Sequence, residues 1–167
     1  HKLAQYDDHR NDPDISASSG LSPWLHFGKI SEYEIVKAIL GHQPEGWDIT
    51  DITPNKGKNS GFFNGDPNIE SFLDEVITWR EVGFHYAHHV DNYDKLESLP
   101  DWVHQTMDEH RKDEREYIYS LEEFEQSKTH DEIWNAAQTE LREEGIMHNY
   151  LRMLWGKKII EWTPDYQ

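Results

Sequence analysis

The stretch from Thr129 to Trp162, THDEIWNAAQTELREEGIMHNYLRMLWGKKIIEW, constrains the fold more than any other part of this chain. It describes two helices meeting at a glycine. Thr129 is placed to N-cap the first, with Glu132 reaching back as a capping box. Gly145 accepts the left-handed turn that ends it, and Pro164 stops the second helix soon after Trp162. Trp155 and Trp162 are separated by two helical turns and so fall near one face. One tryptophan on such a helix pair is ordinary core filling. Three, counting Trp134, interleaved with Asn135, Gln138, His148, Asn149 and Arg152, point to a planar aromatic cofactor as the neighbour.

Helical patterns dominate the rest. Ser31 and Glu34 make a capping box before Tyr33, Ile35, Val36 and Ile39, and Gly41 ends that helix. Pro67 and Asn68 open a long helix in which Ile69, Phe72, Leu73, Val76 and Trp79 share a face. Another is expected from Ser98–Pro100 through Trp102 and Val103 into DEHRKDERE, and Ser120 with Glu123 caps a short one. No sustained period-two alternation occurs, so the chain reads as all-α. Residues 41–68 carry Pro44, Gly46, Pro54, Gly57, Gly61, Gly65 and Pro67, which break regular structure. They read as a long inserted loop, mobile or partly disordered, with Phe62 and Phe63 as its apolar contacts.

Composition narrows the function classes. A length of 167 residues suits one domain, and seven Trp, eight Tyr and six Phe exceed what helix packing needs. The formal charge of −17 argues against a generic nucleic-acid binder. From Ile146 to Ile160, however, there is no Asp or Glu, while Arg152, Lys157 and Lys158 form a local basic stretch. The absence of cysteine excludes disulfides, thiolate metal sites and cysteine-ligated iron–sulfur clusters. No apolar run approaches the ~20 residues of a membrane span, and no secretory signal is visible, so a cytoplasmic location is expected. His85 and His89 have metal-ligand spacing on a helix, but no carboxylate lies in the intervening turn. A histidine face without metal is the expectation there, and DEHRKDEREY reads as a charged helix surface.

Four motifs in order give a more specific indication: YDDHRNDPD, SSGLSPWLHFGKIS, FLDEVITWRE, and WNAAQ followed by GIMHNYLRMLWGKKIIEW. Together they resemble the FAD-binding helical domain of the DNA photolyase and cryptochrome family over most of the chain outside residues 41–68. WNAAQ and the Trp155–Trp162 spacing are most similar to class II cyclobutane-dimer photolyases, whereas TWRE and MHN are similar to class I.

The resemblance implies an incomplete FAD-binding domain over residues 1–167. An N-terminal α/β antenna domain and the C-terminal part of the flavin cradle would lie outside it. SSGLSPW matches the segment that holds the FAD phosphates, which assigns Ser18, Ser19, Leu21 and Ser22, assisted by Tyr6. Read from the residues alone, those serines are plain helix caps. Arg80 matches an arginine that reaches the flavin or its phosphates, and otherwise reads as a surface ion-pair partner of Glu81 or Asp74. Asn149 and Arg152 match positions beside the ring system. Glu75, Trp79 and Met153 match positions facing the damaged bases of UV-damaged DNA. Trp155, Trp134 and Trp162 match an electron relay, with Trp155 nearest the flavin, Trp134 next and Trp162 toward solvent. The implied activity is light-driven repair of cyclobutane pyrimidine dimers by electron transfer from reduced FAD. A cryptochrome-like photoreceptor without repair activity and a flavin-free helical interaction module are the alternatives.

Overall fold

The computed structural model describes residues 2–58 and 61–166; Asn59 and Ser60 of the expected loop lie outside the described residues. Those residues form helices and turns with no strand among them. The chain divides into two compact units, His1–Asp91 and Asn92–Gln167.

The first unit contains α1 (Tyr6–His9), α2 (Ser22–His26), α3 (Glu32–Leu40), α4 (Pro67–Leu73) and α5 (Arg80–His89). The expected capping box starts α3: the Ser31 hydroxyl accepts from Glu34 N–H while the Glu34 carboxylate accepts from Ser31 N–H. Asp66 caps α4 by accepting from the amides of Asn68 and Ile69, and Pro67 occupies the first turn, where a missing N–H costs nothing. Between α4 and α5, Asp74–Trp79 takes the wider π-helical turn, so the long expected helix is continuous but locally expanded. Such π segments are often found at functional sites. Ile35, Ile69, Phe72 and Leu73 fill the core, and Tyr6 meets Phe72 edge-on with ring centroids 5.2 Å apart. The Asp7 amide donates to Asn68 Oδ1 at 3.0 Å, tying α1 to α4.

Among its described residues the expected loop is irregular apart from one 3-10 turn at Ile49–Asp51, and its last two positions, Pro67 and Asn68, already belong to α4. Several bonds restrain it. The Glu70 carboxylate accepts from the amides of Gly61 and Phe63 at 2.6 and 2.7 Å, and the Trp47 indole N–H donates to the Phe63 carbonyl at 2.8 Å. Gln43 Oε1 accepts from the Asp66 amide at 3.0 Å. Loop amides that no helix satisfies thus find partners on the framework that the loop crosses.

The second unit contains α6 (Asp101–Glu109), α7 (Leu121–Glu125), α8 (Glu132–Glu144) and α9 (Asn149–Glu161), with α8 packed on α9. Ser120 and Glu123 form the expected capping box of α7. Gly145 ends α8 with φ at 72°. The N-cap of α8 differs from expectation: Asp131, not Thr129, accepts from the Trp134 amide, at 2.9 Å. Thr129 is instead clasped by Asn135, whose side chain bonds both its amide and its carbonyl. The shorter helix results from this competition between a threonine cap and an asparagine clasp. His148 caps α9 by accepting from the Tyr150 amide. The core of the unit is aromatic: Phe124, Trp134 and Trp162, with Tyr119, Trp155 and Ile159 packed against them.

Candidate functional site

In the first unit, the expected substrate-facing carboxylate has an unforeseen partner. Glu75, on the π turn, forms a salt bridge with Arg10, which follows α1. The Arg10 guanidinium also lies 5.9 Å from the Tyr6 ring centroid. Burial pushes the Tyr6 hydroxyl above its ordinary pKa, the Glu75 charge adds to this, and Arg10 opposes it. Tyr6, Arg10 and Glu75 therefore form one coupled group. Arg10 was missed in the sequence because nothing local links it to a carboxylate 65 positions away.

Trp79 donates its indole N–H to Asp74 Oδ2 at 3.1 Å within the π turn, which fixes its ring while 59% of the residue stays exposed. Arg80 lies 3.5 Å from Glu32 of α3 and 3.6 Å from Glu81, with Phe84 beneath it at 4.5 Å. The glutamate across the unit joins the expected neighbour Glu81. The Ser19 hydroxyl accepts from the Leu21 amide at 3.3 Å, and Ser22 begins α2, whose first turn has no side-chain cap. Lys2, another residue missed by pattern, donates to the Ser16 hydroxyl and to the Ser18 carbonyl, both at 3.1 Å.

In the second unit, Asn149, Arg152 and Met153 are exposed on one face of α9, at the three- and four-residue spacing of helix neighbours. Asn149 Oδ1 accepts from Arg152 Nη2 at 3.1 Å. The same unit holds the tryptophan array. Trp134 stands between the other two: its centroid is 6.3 Å from Trp155 with planes 5° apart, and 6.1 Å from Trp162 at 64°. Two hydrogen bonds hold the first pair. Trp134 Nε1 donates to the Trp155 carbonyl at 3.2 Å, and Trp155 Nε1 donates to Gln138 Oε1 at 2.8 Å. Gln138 and Asn135, which looked like ligand contacts, are thus occupied in positioning the helices. The expected solvent-facing place of Trp162 is corrected: it is 3% exposed, because Tyr119, His130, Phe124 and the Lys158 side chain cover it.

The described residues thus form an all-α protein whose second unit is built around stacked and edge-on indoles, two of them held by directed hydrogen bonds. No family model matches the chain. Individual relatives do. It is 40% identical over 164 residues to the deoxyribodipyrimidine photo-lyase of Methanothermobacter thermautotrophicus, covering 97% of this chain and 31% of that protein. The photo-lyase of Potorous tridactylus is 38% identical over 162 residues, with 97% and 27% covered. That of Oryza sativa subsp. japonica is 36% identical over 163 residues, with 97% and 28% covered. Over nearly its whole length the chain belongs to the deoxyribodipyrimidine photo-lyase family, and it spans about three tenths of the length of these curated relatives. No helix among the described residues is long and apolar enough to cross a membrane.

Proposed function

We propose that this chain supplies the flavin-binding and electron-relay part of an enzyme that uses blue light to split cyclobutane pyrimidine dimers in UV-damaged DNA. The observation that carries this reading is the ring order Trp155–Trp134–Trp162. Packing alone needs apolar bulk, but it has no need for three easily oxidised rings in series.

The residues present fit FAD. The uncapped first turn of α2 leaves amide N–H groups for an anion, and Lys2 places an ammonium beside Ser16 and Ser18. Ser18, Ser19, Leu21 and Ser22 would hold the phosphates with Tyr6 assisting, and Arg80 would add charge. Asn149 and Arg152 would flank the ring system. Bound in its reduced form, FAD supplies a light-driven electron to the dimer. The protein binds, orients and excludes water, as is general for cofactor enzymes.

The dimer must leave the duplex to be reached, which is cheaper for a distorted lesion than for stacked bases. Trp79, fixed by Asp74 yet exposed, offers it a rigid stacking surface, and Met153 a polarizable one. Glu75, held by the Arg10 salt bridge, would offer carboxylate oxygens that can accept from a pyrimidine N–H. The tryptophans have a separate duty: they would carry an electron inward to restore an oxidised flavin.

The test is a repair assay under blue light on protein reconstituted with FAD, with the visible spectrum read alongside. A flavin spectrum with dimer loss supports the reading. Bound flavin without repair favours the non-repair photoreceptor, to which the charge of −17 is better suited. No flavin uptake favours a helical interaction module.

A further inference from the structure

We propose that Asp74 is a positioning residue for the damaged bases. From the core it holds the exposed Trp79 ring through a bond that the π turn makes possible, so a pyrimidine dimer meets a stacking surface set in advance. The proposal rests on the reading of Trp79 as a residue that faces the lesion, and adds to it how the ring comes to stand outside the core at all.

The sequence sets Phe72 and Trp79 two α-helical turns apart, which in an unbroken helix is one face. Phe72 follows that expectation at 6% exposure, but Trp79 departs from it at 59%. The π turn that separates them accounts for the difference. Its i→i+5 bonding advances the chain less around the axis per residue, so side chains beyond it lag behind the α-helical phase. Trp79 is thereby carried off the buried stripe of Ile69, Phe72 and Leu73, and joins Glu75 and Thr78 as the exposed residues of the turn.

The same change of register makes the Asp74 bond. Asp74 and Trp79 are the first and last residues of the turn. In an α-helix, residues at that spacing point about 140° away from each other. In a turn bonded i→i+5 they come into line. Trp79 Nε1 donates to Asp74 Oδ2 at 3.1 Å, and Asp74 is buried, so the anchor has little freedom of its own. Neighbouring contacts hold the register from both sides. Glu75 is bridged to Arg10, which follows α1, and Arg80 lies 3.5 Å from Glu32 of α3.

Stability does not explain the arrangement. Moving an indole out of a core stripe gives up apolar burial. An exposed indole N–H can bond to water instead, so its bond to Asp74 returns little in exchange. What the bond does confine is rotation of the ring about χ1 and χ2. A stacking partner gains from that directly, since a ring already in place loses no rotamer freedom when the bases arrive.

The test uses protein extended enough to hold FAD, kept in the dark, and reads the dissociation constant for an oligonucleotide carrying a single cyclobutane pyrimidine dimer. Trp79→Ala should weaken binding about tenfold or more, as loss of a base-stacking ring does. Asp74→Leu should weaken it about two- to tenfold, the cost of ordering one free side chain on binding. Asp74→Asn, which keeps an acceptor, should bind within about twofold of wild type, the margin for a neutral change. Asp74→Leu added to Trp79→Ala should bring no further loss, because Asp74 acts through the ring. The indole N–H of Trp79, identified in nitrogen-15 NMR spectra as the signal absent from Trp79→Phe, should exchange with solvent faster in Asp74→Leu. Losses that multiply in the double variant, unchanged indole exchange, or wild-type binding by Asp74→Leu each overturn the proposal. Should Asp74→Leu fail to fold, benzothienylalanine at position 79 replaces the N–H by sulfur and leaves Asp74 in place. The same weakening then supports the proposal, and wild-type binding overturns it. Wild-type binding by Trp79→Ala rejects the lesion-facing reading of Trp79 and the proposal with it, whereas failure in the Asp74 variants alone leaves that reading standing.

Discussion

Trp134 donates its indole N–H to the Trp155 carbonyl while its ring lies nearly parallel to that of Trp155, so one side chain both closes the core and sets the spacing of the array. At 1% exposure its truncation leaves a cavity. Trp134→Ala should cost about 3–5 kcal/mol in denaturant unfolding, the range for buried aromatics. Trp155→Phe separates packing from conduction. The phenyl ring retains most of the bulk but is far harder to oxidise, and it leaves the buried Gln138 oxygen without its donor, at a cost of about 1–3 kcal/mol. If the proposed relay operates, then in protein extended enough to hold FAD photoreduction of the flavin should stop, while repair by already reduced flavin should survive, since in that reading its electron passes from cofactor to dimer without entering the relay. Adding Gln138→Leu should recover stability without recovering photoreduction, because removing both partners is nearly neutral where removing one is not. A single variant that photoreduces at the wild-type rate would return these rings to a packing role.

Helix ends show how little of each element is left to chance. Gly145 holds φ at 72°, and a Cβ there would meet nothing within 4 Å, so the cost of Gly145→Ala is conformational and not steric crowding by neighbours. It should lower stability by about 1–2 kcal/mol, the penalty for an L-residue in the left-handed region. At α7 the backbone amide of Ser120, and then its hydroxyl, hold the Glu123 carboxyl below its ordinary pKa. A carboxylate with a lowered folded-state pKa stabilises fully above its unfolded value, and the contribution fades as pH falls through the lowered one. Stability followed by circular dichroism should therefore drop below about pH 4, where carboxylates ordinarily protonate, and Glu123→Gln should flatten that limb. The N-terminus of α8 was legible only approximately. Thr129 and Asp131 are both good caps, and the Asn135 clasp that decides between them acts across a turn that no capping pattern encodes.

Across the whole chain, the charge of −17 makes any DNA contact depend on a few local cations. Arg152, Lys157 and Lys158 are the basic residues of the acid-free stretch, and Lys158 already pairs with Glu161. If binding to damaged duplex uses about three phosphates, its logarithm should fall with that of salt with a slope of about −3. A slope near −10 on titration would require a basic surface beyond this stretch. The helical class, the three cap motifs at Ser31, Ser120 and Gly145, and the tryptophan spacing were all readable from the amino-acid order, because each depends on neighbours within a turn or two. So was the family, since ordered motifs are themselves linear. Folding alone decided that Glu75 would be held by Arg10, that Lys2 would lie beside the serines, and that Trp162 would be covered by Tyr119 and His130. Those contacts join residues far apart in the chain, and their energies exist only once the backbone has brought the partners within a few ångströms.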